Sequence, residues 1–198
     1  MSKFLSNLYS ELEPYTPGEQ PKDKAYIKLN TNESPFPPSP KVRAAISDEV
    51  INDLNLYPDP EVSLLRGAIA EHFDVKGKNV FVANGSDDVI AFSVMAFCGR
   101  GGSLVCPDIT YGFYPVYAKL FGVNLTEVPL REDFSVDIDD YKNFEEPVII
   151  ANPNAPTGLM LSLEEVEKLV NQKPDRLVIM DEAYMDFGGQ SAMSLIEK

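Results

Sequence analysis

Tryptophan is absent from these 198 residues, histidine occurs once, and cysteine twice. A single histidine, His72, cannot build a His-rich metal centre and leaves a Ser-His-Asp triad without context. Cys98 and Cys106 stand in apolar surroundings without Cys-x-x-Cys spacing, so the expectation is two buried, inert thiols and no metal site. Positive charge is also scarce. Seventeen Lys and Arg face 31 Asp and Glu, giving a formal charge of −14 and a pI near 4.4. Such a balance argues against nucleic-acid or anionic-membrane partners. No apolar run reaches bilayer length, and no basic-then-apolar signal pattern opens the chain, so a cytoplasmic protein is expected.

What is present is texture that changes along the chain. Pro14, Pro17, Pro21, Pro35, Pro37, Pro38 and Pro40 crowd residues 1–40, which suits an extended arm better than a core element. Val42, Ile46 and Val50 repeat every four residues and predict an amphipathic helix over 41–54. After the turn Tyr57-Pro58-Asp59-Pro60, the positions of Val62, Leu65, Ile69 and Phe73 predict a second helix over 61–73, with His72 in its last turn. From residue 79 strands alternate with helices. Strands are expected at 79–83, 103–106, 123–129, 147–151 and 176–180, and helices at 87–97, 111–121 and after Ser162. Pro115 makes the helix over 111–121 start late or kink, and Ser162 with Glu165 forms a capping box. The alternation predicts an α/β fold with a doubly wound, mostly parallel sheet. Three regions follow: an arm over 1–40, a helical segment over 41–75, and a sheet domain over 76–198.

The run Leu177-Val178-Ile179-Met180 reads as a strand buried on both faces, and it ends in Asp181-Glu182-Ala183-Tyr184. An acid at the carboxyl edge of such a sheet sits where open α/β folds bind ligands, and it needs a cationic or donating partner. Three other sheet edges carry suggestive groups. Gly85, Ser86 and Asp87 lie at a strand–helix junction, where free N–H groups accept an anion, although Ser86 or Asp87 capping the helix would look the same. Tyr111 follows the next strand, either as a stacking surface or as a half-buried core residue. Asn152-Pro153-Asn154-Ala155-Pro156-Thr157-Gly158 forms a rigid loop with amides at its rim. A phosphorylated, planar, cationic heterocycle would use all four edges, and pyridoxal phosphate is such a molecule.

On these stretches, joined by Leu12-Glu13-Pro14-Tyr15, Lys28 to Pro35 and Leu56 to Pro60, the chain resembles the fold-type I aminotransferases, the histidinol-phosphate aminotransferase group in particular. The resemblance implies a large domain of the pyridoxal-phosphate transferases, incomplete here, with small-domain helices and an N-terminal arm. It implies that Gly85, Ser86 and Asp87 hold the cofactor phosphate, Tyr111 stacks on the ring, Asp181 pairs with the ring nitrogen and Tyr184 reaches the 3-oxygen. Asp181 and Tyr184 are thus the catalytic candidates. It also implies a homodimer in which Tyr57 reaches the partner's cofactor phosphate, and an arm whose Tyr15, Asn32 and Glu33 close over the substrate. The implied substrates are histidinol phosphate and 2-oxoglutarate.

Two departures from the family pattern stand out. The family has asparagine immediately before Pro-Thr-Gly, where this chain has Ala155, so Asn154 is the candidate for that amide contact. The family's lysine that bonds to the cofactor, and its substrate arginines, come after residue 198. Lys119 and Lys168 look like polar helix faces and Lys76 and Lys78 like turn residues, so the chain is expected to be a fragment. In the resembled fold two later strands lie between the first strand and the one ending at Asp181. Three rival readings share parts of this pattern. A nucleotide hydrolase would need a Gly-x-x-x-x-Gly-Lys-Ser/Thr loop, which the sequence lacks. A noncatalytic regulator of the same fold fits the missing lysine. A threonine-phosphate decarboxylase or aromatic aminotransferase would share most of these motifs.

Overall fold

The structure is a computed structural model and describes Phe4, Tyr9, Glu19 and residues 27–196, with Glu49 by its backbone alone. The described residues divide into two units: Glu19 and residues 27–62 form the first, and Phe4, Tyr9 and residues 63–196 the second. The described part of the first unit holds two short helices, α1 (Pro40–Ala45) and α2 (Asp48–Asn52). Ser39 caps α1 by accepting the Lys41 N–H at 3.3 Å, and Pro40 takes the first helical position, where its missing N–H costs nothing. One helix over 41–54 was expected, but the chain breaks at Ile46 (φ −87°, ψ 85°). The Ser47 hydroxyl, accepting the Val50 N–H at 3.4 Å, offers the backbone a fresh start.

The second unit carries the sheet. Its strands are β1 (Ser103–Pro107), β2 (Asn124–Val128), β3 (Val148–Ala151) and β4 (Val178–Asp181), ordered β2-β1-β3-β4 and all parallel. Its helices are α3 (Ser63–Phe73), α4 (Gly85–Ser93), α5 (Phe113–Phe121) and α6 (Leu163–Asn171). A π turn, Val94–Cys98, prolongs α4. Helix α3 therefore groups with the sheet, and His72 lies in its last turn.

Alternate strand residues point to opposite faces, and each face has its own core. Leu104, Cys106, Ile149 and Ala151 pack with Ile90 and Val94 and with Tyr114, Tyr117 and Ala118 of α5. Val105, Val148 and Ile150 pack with Val166 and Leu169 of α6 and with Ile138 and Tyr141. The sheet is thus doubly wound. Full burial of side chains such as Leu104, Ile149 and Ile150 contributes about 1.5–3 kcal/mol each. The second core also holds Arg176, 6% exposed, whose guanidinium donates to the carbonyls of Tyr141, Phe144 and Leu169.

Helix α5 starts late, at Phe113, which puts Pro115 in the first turn where no intrahelical donor is lost. Gly122 (φ +67°) ends it in the left-handed conformation. The capping box of α6 forms as expected: Glu165 N–H donates to Ser162 Oγ at 3.2 Å and Ser162 N–H to Glu165 Oε2 at 2.7 Å. Cys106 is fully buried, and burial, reinforced by Glu127 and Asp108, pushes its thiol up to about 12; Cys98 is half-buried and also raised.

Two further expectations need correction. Residues 79–83 do not join the sheet: Val80 is extended (φ −110°, ψ 123°), but no strand lies beside it among the described residues, and a β ladder requires a partner. Strand β4 is only half-buried, not covered on both faces, because it forms an edge of the described sheet.

Candidate active site

The chain leaves β1 through α5 on one face and leaves β3 through α6 on the other. The loops after β1 and β3 therefore diverge, which opens a crevice at the carboxyl edge where parallel sheets place ligands. Asn154 ties these loops together. Its amide donates to the Ile109 carbonyl at 2.9 Å and to Thr157 Oγ1 at 3.3 Å, while its Oδ1 accepts from Thr110 Oγ1 at 2.8 Å. Asn152 does similar work lower in the loop, exchanging two hydrogen bonds with the backbone of Leu161.

Ser86, Tyr111, Asp181 and Tyr184 line one cleft, together with Pro153 and Ala155. Ser86 comes from the first turn of α4. Gly85 (φ +77°) makes the turn into that helix, a conformation that costs a side-chain-bearing residue more than glycine. The N-cap residue Asn84 makes no side-chain cap, and the first N–H groups of a helix have no partner within it. Asp87, which would repel an anion if its carboxylate pointed outward, turns it toward tyrosines instead. Tyr111 Oη donates to Asp87 Oδ1 at 2.8 Å. Burial, then the nearby charge of Asp87, push the Tyr117 phenol up to about 12.

Asp181 ends β4. Its Oδ2 accepts from Tyr114 Oη at 2.8 Å and its Oδ1 from the Ala183 N–H at 3.2 Å. Both partners are neutral, so neither cancels its charge. The Tyr111 ring meets Tyr114 edge-on, with centroids 5.6 Å apart and planes at 79°. One cleft thus combines backbone donors at a helix start, a flat phenol, an anionic carboxylate and a second phenol. That donor set fits a planar, phosphorylated, cationic ring, which needs each of these partners.

The remaining sequence candidates lie elsewhere. Asn154 braces the loop and does not line the cleft; the neighbouring position, Ala155, does. Tyr57, Asn32 and Glu33 belong to the other unit. Tyr57 is fully exposed, Asn32 takes a positive φ of 55°, and Glu33 pairs with Lys28 at 2.7 Å. Tyr15 lies outside the described residues. Sequence reasoning did not single out Tyr114, although a second tyrosine one helical turn after Tyr111 was visible.

Residues 24–197 match the family model described as aminotransferase class I and II. The chain belongs to this family. It is 53% identical, over its whole length, to a histidinol-phosphate aminotransferase from Brachyspira hyodysenteriae, and 50% identical to one from Clostridium botulinum. It covers 56% of each of these, so the chain spans about half the length of the curated relatives it matches. A histidinol-phosphate aminotransferase from Sinorhizobium meliloti, solved in complex with pyridoxal-5'-phosphate, aligns with a TM-score of 0.70. That alignment has 28% identity and covers 78% of this chain and 43% of that one. The fold is thus that of the pyridoxal-phosphate aminotransferases of fold type I. Among the described residues no helix is long and apolar enough to cross a membrane.

Proposed function

We propose that this chain cradles pyridoxal 5'-phosphate in a cytoplasmic, homodimeric aminotransferase that moves the amino group of histidinol phosphate to 2-oxoglutarate. The observation that carries the reading is Asp181, anchored at the end of β4 in the same cleft as Ser86, Tyr111 and Tyr184. The 53% identity to a histidinol-phosphate aminotransferase supports the substrate.

The cofactor, when bound, supplies a protonated ring that takes up the electrons left at the substrate carbon as its proton departs. The chain's own residues hold and orient it. The N–H groups of Ser86 and Asp87 at the start of α4, with Gly85 making the turn, bind the phosphate with favourable helix-end charge. Tyr111 lies against the ring, and its bond to Asp87 holds its orientation while keeping that carboxylate off the phosphate. Asp181 keeps the proton on the ring nitrogen, since an adjacent anion favours the charged form. Tyr184 serves the ring's 3-oxygen. In this reading Tyr57 reaches the partner's cofactor phosphate, and Tyr15, Asn32 and Glu33, on an arm over 1–40, close over the substrate. Residues 41–75 link that arm to the cofactor domain at 76–198.

Single-turnover absorption spectra of the intact protein test the assignment. Histidinol phosphate should convert the bound cofactor's spectrum, whereas conversion by threonine phosphate or aromatic amino acids alone would move the protein to a related activity. Asp181→Asn should weaken cofactor binding and abolish turnover. Near-wild-type turnover in that variant would overturn its assigned role.

A further inference from the structure

Tyr114 has no place in the roles above, yet its side chain is completely buried and its one hydrogen bond runs to Asp181. It sits in the first turn of α5, where its N–H donates to the Tyr111 carbonyl at 3.2 Å. The same residue thus touches both groups that would grip the ring, Tyr111 by an edge-on contact and Asp181 through its hydroxyl. With Ala183 N–H on Oδ1 and Tyr114 Oη on Oδ2, rotation of the carboxylate would break a hydrogen bond at either end. We propose that Tyr114 is a positioning residue that holds the Asp181 carboxylate in one plane beside the ring nitrogen of bound cofactor. Burial above all, and then the charge of Asp181, drive the Tyr114 phenol far above its ordinary range, so it remains a donor at every working pH. A donor on Oδ2 stabilises the anion and opposes transfer of the ring proton to Asp181. This inference rests on the proposed cofactor reading.

The test uses the intact protein, titrated with pyridoxal 5'-phosphate. Tyr114→Phe keeps the buried ring and its contact with Tyr111 while removing only the hydroxyl. Cofactor affinity should fall about tenfold, as expected for losing one hydrogen bond to a charged group. The pH at which the bound cofactor's ring loses its proton, read by absorption, should fall by about one unit, because the ring holds its positive charge less firmly. In an Asp181→Asn background the same substitution should change affinity less than about twofold, since the two residues act as one unit. Equal losses in both backgrounds would assign Tyr114 a merely structural part and overturn the proposal. So would a Tyr114→Phe protein that binds and titrates like wild type. If Tyr114→Phe does not fold, 3-fluorotyrosine at position 114 keeps the shape but donates more strongly. It should raise the spectral transition pH, and no shift overturns the proposal. Failure of the wild-type protein to bind the cofactor at all is a different result: it overturns the function reading and this inference with it.

Discussion

Asn154→Ala separates two roles that one asparagine can play, cofactor ligand or loop brace. The side chain is 3% exposed and makes three hydrogen bonds, two donated and one accepted, spanning the loops after β1 and β3. A neutral intramolecular hydrogen bond contributes about 1 kcal/mol net, so losing all three costs about 3 kcal/mol. The hydroxyls of Thr110 and Thr157 can rotate toward other partners, which lowers the figure to about 2–3 kcal/mol. For a domain of this size each kcal/mol moves the melting temperature by about 2–4 °C, so a fall of roughly 4–12 °C is expected. The assay is a thermal melt of the cofactor-free protein followed by titration with pyridoxal 5'-phosphate. A brace loses stability without ligand and loses affinity as well, because Tyr111 and Ala155 sit on the loops it joins. A cofactor-free melt equal to wild type, with affinity alone reduced, would refute the reasoning and make Asn154 a ligand.

Two further expectations concern the second core. Arg176→Met strands the buried carbonyls of Tyr141 and Leu169 and the half-buried one of Phe144, at about 1–3 kcal/mol per group. Its urea midpoint should therefore fall further than that of Asn154→Ala, and an equal or smaller fall would refute the argument. Ser162→Ala removes the α6 cap and should cost about 1 kcal/mol near neutral pH, read from the same urea curves. The Ser162 hydroxyl, then its N–H, hold the Glu165 carboxyl below its ordinary 4.5, so the stability from that shift is present above 4.5 and lost as pH falls through the lower folded value. The difference between wild type and Ser162→Ala should thus shrink in acid, and a constant difference from pH 7 to 3 would contradict it.

Periodicity and local chemistry marked out most of this fold. The parallel strands after residue 100 are short apolar runs between turn residues, and the Ser162–Glu165 box names its own helix. Both signals are local, so a one-dimensional reading finds them. The same reading misplaced what depends on neighbours. Residues 79–83 have strand composition but no ladder partner among the described residues, and residues 41–54 have helical spacing but a serine that restarts the chain. Likewise the acid at 181, the aromatic at 111 and the glycine turn at 85 were visible as ligand-type groups at successive strand ends. Their convergence on one cleft follows from the crossover of β1 and β3, which reverses the direction of winding. Tertiary structure alone decided which polar groups face that cleft. Asn154 turns into the loop and leaves Ala155 at the rim, Asp87 turns to the Tyr111 phenol, and Tyr114 comes within 2.8 Å of a carboxylate 67 positions away. The physical reason is that a buried polar atom must find a partner, and which partner lies in reach is a property of packing rather than of spacing along the chain.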